Sequence, residues 1–280
     1  MSNFSLLGPA EIRSLAASLN VSPTKKLGQN FVIDANTVRR IVRLAGVQSN
    51  DSVIEVGPGL GSLTLGLLES GARVLAVEID GRLAEQLPAT VTRFAPETVD
   101  QLTVIHADAL QIFELPENPG RLVANLPYNV SVPVLLHLLE HFPSLQSGVV
   151  MVQAEVGQRI AAAPGSKVYG SPSVKASWYG TWQTVGSVSR QVFWPVPNVD
   201  SILVGFTAHS TRPGDDELRR RTFALVDAAF QQRRKTLRQS LASVFGDPTA
   251  AERALEVAAI EPTCRGEQLS LDQFVRLAER

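Results

Sequence analysis

Short apolar runs alternate with stretches of helical spacing through the first half of the chain. Residues 52–57 (SVIEVG), 73–79 (RVLAVEI), 102–108 (LTVIHAD), 121–126 (RLVANL) and 147–153 (SGVVMVQ) are rich in Val, Ile and Leu. Continuous apolar runs of this length read as strands buried on both faces. Between them, residues 60–70 (LGSLTLGLLES), the stretch opening at 81 (GRLAEQL) and residues 131–142 (SVPVLLHLLEHF) space their apolar side chains three and four apart, as helices do. Upstream, Pro9 to Leu19 predicts a short amphipathic helix with proline near its start, and Asp34 is placed to cap a helix running through Leu44. Strands alternating with helices predict an α/β fold with a mostly parallel central sheet covered on both faces.

After residue 165 the pattern changes. Residues 167–208 are rich in Gly, Ser, Val and aromatics, which predicts further strands and a loop, an antiparallel pair among them. TRPGDDE (211–217) reads as a linker, and from 215 onward the spacing is helical. The expected organisation is one α/β domain over 1–210 and a small helical domain over 211–280.

Composition changes this picture little. The chain has 280 residues, 44% of them hydrophobic and 19% charged, with a formal net charge of −1. Total charge therefore does not announce a polyanionic partner, and local clusters must. A single cysteine, Cys264, excludes an internal disulfide and a cysteine-based zinc site, and four scattered histidines argue against a His-rich metal site. No metal is expected. No apolar run approaches the roughly 18 residues of a membrane span, and the first 20 residues lack the basic start of a signal peptide. The expected location is the cytoplasm.

Gly57, Gly59 and Gly61 follow the first of these strands directly and precede a helix. Glycines there let the chain turn sharply and let a ligand approach the backbone. The dinucleotide fingerprint needs a glycine at position 62, where this chain has Ser62. A nicotinamide dehydrogenase is disfavoured accordingly. Glu78 ends the next strand, and Asp108 the one after. A strand-end carboxylate can accept both hydroxyls of a ribose. Alone, such a turn is equally a tight βα connection with solvated acids. Together, the three features resemble the S-adenosyl-L-methionine site of Rossmann-like methyltransferases. That resemblance implies Gly57 and Gly59 against the cofactor, Glu78 on its ribose and Asp108 on its adenine amino group.

The fourth strand ends in NLPY: Asn125, Leu126, Pro127 and Tyr128. At this place the segment resembles the Asn/Asp-x-Pro-aromatic motif of enzymes that methylate exocyclic base nitrogens. The chemistry explains the residue types. The lone pair of adenine N6 is delocalised into the ring, so the nitrogen is a poor nucleophile. Two acceptors holding its N–H bonds favour a pyramidal nitrogen with its lone pair directed away from the ring. The Asn125 side-chain oxygen can be one acceptor. The Leu126 carbonyl can be the other, because Pro127 holds residue 126 extended. Tyr128 offers a face for the base, and such stacking contributes about 1–3 kcal/mol.

Further segments widen the likeness: KKLGQNFVID (25–34), MVQAEVGQRI (151–160), GSKVYGSPSVKAS (165–177), VFWPVPNVDSILV (192–204) and RRKTLRQSL (233–241). In order, and along nearly the whole chain, these resemble the ribosomal RNA adenine N6,N6-dimethyltransferase family, in particular its bacterial 16S branch. The resemblance implies that Asn30 and Val32 help close over the cofactor. It implies that Asn125 borders both cofactor and base, and that Phe193 stacks on the target adenine opposite Tyr128. The implied partner is 16S rRNA within the 30S subunit, bound by a monomer. The chain departs from the family pattern at Val32, where leucine is usual, and at Pro172 within GSPSV. Lys25 and Lys26 beside the proposed lid, and Arg221, Arg233, Arg234, Lys235 and Arg238 in the helical part, are the candidate RNA contacts. The related 23S rRNA dimethyltransferase and a non-catalytic assembly factor remain as alternatives.

Overall fold

The computed structural model describes residues 4–20 and 30–280. Lys25 and Lys26 lie outside the described residues. The chain forms two compact units. One takes in the described residues up to Gly157 together with Gln183–Ala208, and the other joins Gln158–Trp182 to His209–Arg280. Residues 158–182, which the sequence reading put in the α/β part, thus group with the C-terminal helices.

The first unit begins with helix α1 (Pro9–Ser18), a two-residue strand β1 (Phe31–Val32) and helix α2 (Ala35–Leu44). Asp34 caps α2 as expected, its Oδ2 accepting the Thr37 N–H at 2.7 Å. Then come β2 (Ser52–Val56), α3 (Ser62–Glu69), β3 (Arg73–Glu78), α4 (Gly81–Phe94), β4 (Leu102–His106), β5 (Arg121–Asn125), α5 (Ser131–His141) and β6 (Ser147–Gln153). Helix α6 (Ala154–Ile160) follows at once. The remaining elements before the C-terminal helices are α7 (Ser171–Ser177), β7 (Gly180–Val188), β8 (Phe193–Trp194) and β9 (Ser201–Ala208).

Seven strands make the central sheet in the order β4-β3-β2-β5-β6-β9-β7. Strands β4 to β6 are mutually parallel, and β9 runs antiparallel to β6. The chain walks outward from β2 through β3 to β4, then returns to place β5 on the other side of β2. At such a reversal the loops beyond the carboxyl ends of β2 and β5 diverge and leave a crevice. The central strands are buried almost throughout: Val53, Ile54, Leu75, Ala76, Leu122, Val123, Val150 and Met151 are all within the core.

One expectation is extended by the structure and one is corrected. Helix α4 runs past Pro88 to Phe94, beyond the opening turns read from the sequence. A proline inside a helix costs about 3 kcal/mol. Burying Val91 and Phe94 beyond it returns roughly 1.5–3 kcal/mol each, and Pro88 itself faces solvent. Residues 171–177, read as strand or loop, are helix α7. Pro172 sits in its first turn, Gly170 N–H donates to Ser173 Oγ at 3.0 Å, and Val174 and Ala176 are buried. Seven residues are too few for the helical period to stand out from the surrounding Gly/Ser-rich text.

The second unit is helical: α7, then α8 (Asp216–Gln231), α9 (Leu237–Ser240), α10 (Ala242–Phe245), α11 (Pro248–Val257) and α12 (Leu271–Ala278). Leu225, Val226, Leu237, Leu241, Leu255, Phe274 and Leu277 form its core with Tyr169 and Val174. Asp215 caps α8 through the Leu218 N–H at 2.8 Å, and Ser270 and Gln273 close a capping box on α12. Among the described residues, no helix is long and apolar enough to cross a membrane.

Candidate active site

At the carboxyl ends of β2, β3 and β5 the first unit opens into a cavity of about 990 Å³, its mouth included. Its lining brings together Asn30, Val32, Gly57, Gly59, Glu78, Asp108, Asn125, Leu126, Pro127 and Tyr128, ten of the residues singled out from the sequence. Glu78 and Asp108 bring carboxyl groups to it, the buried Glu55 lies at its wall, and none of the described lining residues is Lys, Arg or His. A ligand bearing positive charge suits such a site.

The glycine turn is built for close approach. Gly57 and Gly59 have φ of +69° and +60°, conformations that L side chains rarely adopt. A Cβ on Gly59 would lie 2.9 Å from Phe31 Cε1, so the turn and β1 can meet only with glycine there. A Cβ on Gly57 would lie 3.7 Å from Pro127 Cδ and 3.8 Å from the Asn125 carbonyl oxygen. The turn after β2 and the NLPY segment after β5 are therefore within van der Waals reach of each other.

Glu78 is 4% exposed. Its Oε2 accepts the Gly59 N–H at 3.1 Å and its Oε1 accepts the Asp80 N–H at 3.0 Å. Burial pushes its pKa above the ordinary carboxylate value, and these backbone donors pull the other way. Asp108 caps a short turn through the Leu110 N–H at 2.9 Å and stays half-buried at the cavity edge. Ile79, next in the chain to Glu78 and exposed, also lines the cavity. Glu55 lies at the cavity wall, fully buried, where desolvation pushes its pKa up to about 8 against a 2.6 Å hydrogen bond from Thr64 Oγ1.

Asn125 closes β5, and its Nδ2 donates to the Asn30 carbonyl at 3.2 Å. A carbonyl can only accept, so this contact commits the amide nitrogen and leaves Oδ1 for another donor. Leu126 is buried, its N–H bonded to the Met151 carbonyl at 3.1 Å. Tyr128 is half-buried, with its phenol 2.7 Å from Ser201 Oγ. Burial raises its pKa, which keeps it neutral.

Phe193 is placed elsewhere. It is 1% exposed, packs in the main core and pairs with Val32 across β1 and β8. It does not join the cavity lining, so a stacking role for it requires the β1–β8 pair to open. The same short strand is pinned to the glycine turn by Ser62, whose Oγ donates to the Val32 carbonyl at 2.6 Å.

In the helical unit, three of the candidate RNA-binding arginines carry ion pairs: Arg221 with Glu217 at 4.0 Å, Arg233 with Glu267 at 2.8 Å and Arg238 with Glu252 at 2.9 Å. Arg234 and Lys235 are exposed beside them. Exposed pairs of this kind are worth at most about 1 kcal/mol and are readily exchanged for phosphate.

Sequence reasoning passed over Glu55, Ile79 and Ser201. A charged residue inside the apolar run VIEVG was the one visible signal for Glu55.

Comparison with known proteins gives a consistent set of relatives. Residues 21–280 match the family described as ribosomal RNA adenine dimethylase. The chain is 76% identical over its full length, and the relative's, to the ribosomal RNA small subunit methyltransferase A of Leifsonia xyli subsp. xyli. It is 58% identical, over 98% of this chain and 93% of the relative, to the protein of the same name from Streptomyces avermitilis. Among solved structures, a dimethyladenosine transferase from Plasmodium falciparum shares the fold, with TM-score 0.73 and 24% identity over 88% of this chain and 95% of that one. The 23S rRNA methyltransferase ErmE matches with TM-score 0.66 and 26% identity over 89% and 98%.

Proposed function

The chain belongs to the ribosomal RNA adenine dimethylase family, and on that premise we propose the reaction its crevice carries out. It transfers methyl groups from S-adenosylmethionine to N6 of two adjacent adenosines in the 3′-terminal hairpin loop of 16S rRNA. It acts as a monomer on the 30S subunit in the cytoplasm.

The cavity's residues fit the cofactor. The acidic lining free of described Lys or Arg suits a ligand bearing a sulfonium and an ammonium. On this reading Glu78 takes the ribose hydroxyls and Asp108 the adenine amino group, supported by their sharing the cavity lining with the glycine turn. When bound, the cofactor supplies an activated methyl on a positive sulfur. Transfer then depends mainly on positioning the acceptor.

The observation that carries the reading is the tethered amide of Asn125, beside the glycine turn and facing the same cavity. In the first transfer its Oδ1 accepts one N–H of the target amine and the Leu126 carbonyl the other, turning the nitrogen lone pair toward the methyl. The N–C bond forms as the S–C pair stays on sulfur, and one N–H proton is lost to water. In the second transfer the remaining N–H uses one of these two acceptors. Tyr128 supplies the face on which the extruded base rests, offsetting part of the few kcal/mol, roughly, that unstacking costs. A hairpin loop offers bases already splayed from a helix.

Unmodified 30S and 50S particles, incubated separately with the protein and methyl-labelled cofactor, test this directly. Label should enter 30S rRNA and appear as N6,N6-dimethyladenosine. Label confined to 50S would assign the chain the 23S reaction instead.

A further inference from the structure

One buried hydroxyl behind the base platform has a task that the reaction above does not yet use. Ser201 is the first residue of β9 and is 0% exposed. Because β9 runs against β6, its first residue pairs with Gln153, the last of β6. The antiparallel strand thus starts where the parallel ones end, at the crevice. The residues after it, Ile202 to Phe206, are apolar or glycine and buried. A serine in such a run is unfavourable unless its hydroxyl is bonded. Its partner is the Tyr128 phenol at 2.7 Å.

Tyr128 needs a tether. It lies in the turn between β5 and α5, where neither helix nor strand geometry fixes its side chain. Phe31 and Tyr128 are the aromatic rings among the described lining residues. Phe31 is held in β1, with Trp194 stacked 6.4 Å away. We propose that Ser201 is a positioning residue: its hydroxyl anchors the far end of the Tyr128 side chain and so fixes the plane on which the target adenine rests. This rests on the base-methylation reading above. Burial keeps the phenol protonated, so the pair remains a neutral O–H···O hydrogen bond in which either oxygen can donate.

Ser201→Ala and Tyr128→Phe remove this bond from opposite ends, and the second keeps the ring. Steady-state methylation of 30S should show kcat reduced on the order of tenfold in each single variant, with KM and cofactor Kd within about twofold. The double variant should fall no further than the worse single one, as two cuts of one bond must. Losses that multiply, or an unchanged kcat in Tyr128→Phe, would overturn the proposal. The Tyr128→Phe arm decides it even where Ser201→Ala folds poorly.

Because kinetics presuppose the substrate, ring order is read separately by NMR on 13C-tyrosine protein, which has three tyrosines to resolve. The Tyr128 ring should lose order in Ser201→Ala, and an equally ordered ring would overturn the latch. A ring that loosens as expected, in a protein that never labels 30S, would leave the latch standing and count against the substrate reading alone.

Discussion

Glu78→Gln separates two duties of one carboxylate. Both oxygens already accept backbone N–H groups, from Gly59 at 3.1 Å and Asp80 at 3.0 Å, in a side chain 4% exposed. Glutamine has the same shape but only one oxygen. Whichever way the amide turns, its NH2 opposes one of those donors and leaves it unpaired. That costs about 1–3 kcal/mol of folding stability. The second duty, proposed above, is to hold the ribose hydroxyls. Exchanging charge-assisted for neutral hydrogen bonds there weakens binding by roughly 1–2 kcal/mol, or about 5- to 30-fold in Kd. Titration calorimetry with S-adenosylmethionine reads the second effect, and urea denaturation the first. A variant less stable than wild type but with unchanged cofactor Kd would refute the ribose role. It would leave Glu78 as a brace for the glycine turn.

Other perturbations test other parts of the site. Gly59→Ala places a Cβ 2.9 Å from the Phe31 ring at φ +60°, where an L residue pays about 1–2 kcal/mol. Calorimetry should show cofactor affinity at least about tenfold weaker. The buried Glu55 carboxyl, with its pKa pushed from 4.5 to about 8, binds its proton more tightly folded than unfolded. Its contribution is full below pH 4.5 and lost as pH rises toward 8. Glu55→Gln should therefore flatten the fall in melting temperature between pH 5 and 9, and parallel curves would show that Glu55 is not neutral in the folded protein. Arg234→Ala with Lys235→Ala should lower 30S affinity and reduce the slope of log K against log salt by about two. An unchanged slope would remove these residues from the RNA contact.

The sheet was legible because its central strands are buried on both faces, so Val74–Val77 and Leu122–Ala124 read as unbroken apolar runs, and Val53–Val56 as one broken only by Glu55. The crevice was legible for a related reason. Its polar lining stands at or just beyond the strand ends, Glu78 closing β3, Asn125 closing β5 and Asp108 two residues past β4. What escaped has no period to read. β1 and β8 are two residues each and exist only through their mutual pairing, Phe31 with Trp194 and Val32 with Phe193. That pairing buries Phe193, an outcome its motif could not reveal. Ser201 was quoted only within its segment, because its meaning depends on which strand lies opposite. The helix at 171–177 was hidden by Ser and Gly, and is held by a cap and two buried side chains instead of a long stripe.

One measurement bears hardest on the claim that the Asn125 amide holds the reacting amine. Unmodified 30S particles are incubated with cofactor and either wild-type protein or Asn125→Ala, and their 3′ hairpin is digested and weighed by mass spectrometry. Wild type should yield N6,N6-dimethyladenosine, while the variant should yield neither mono- nor dimethylated base despite near-normal cofactor binding. Dimethylated adenosine accumulating at the wild-type rate in Asn125→Ala would contradict it.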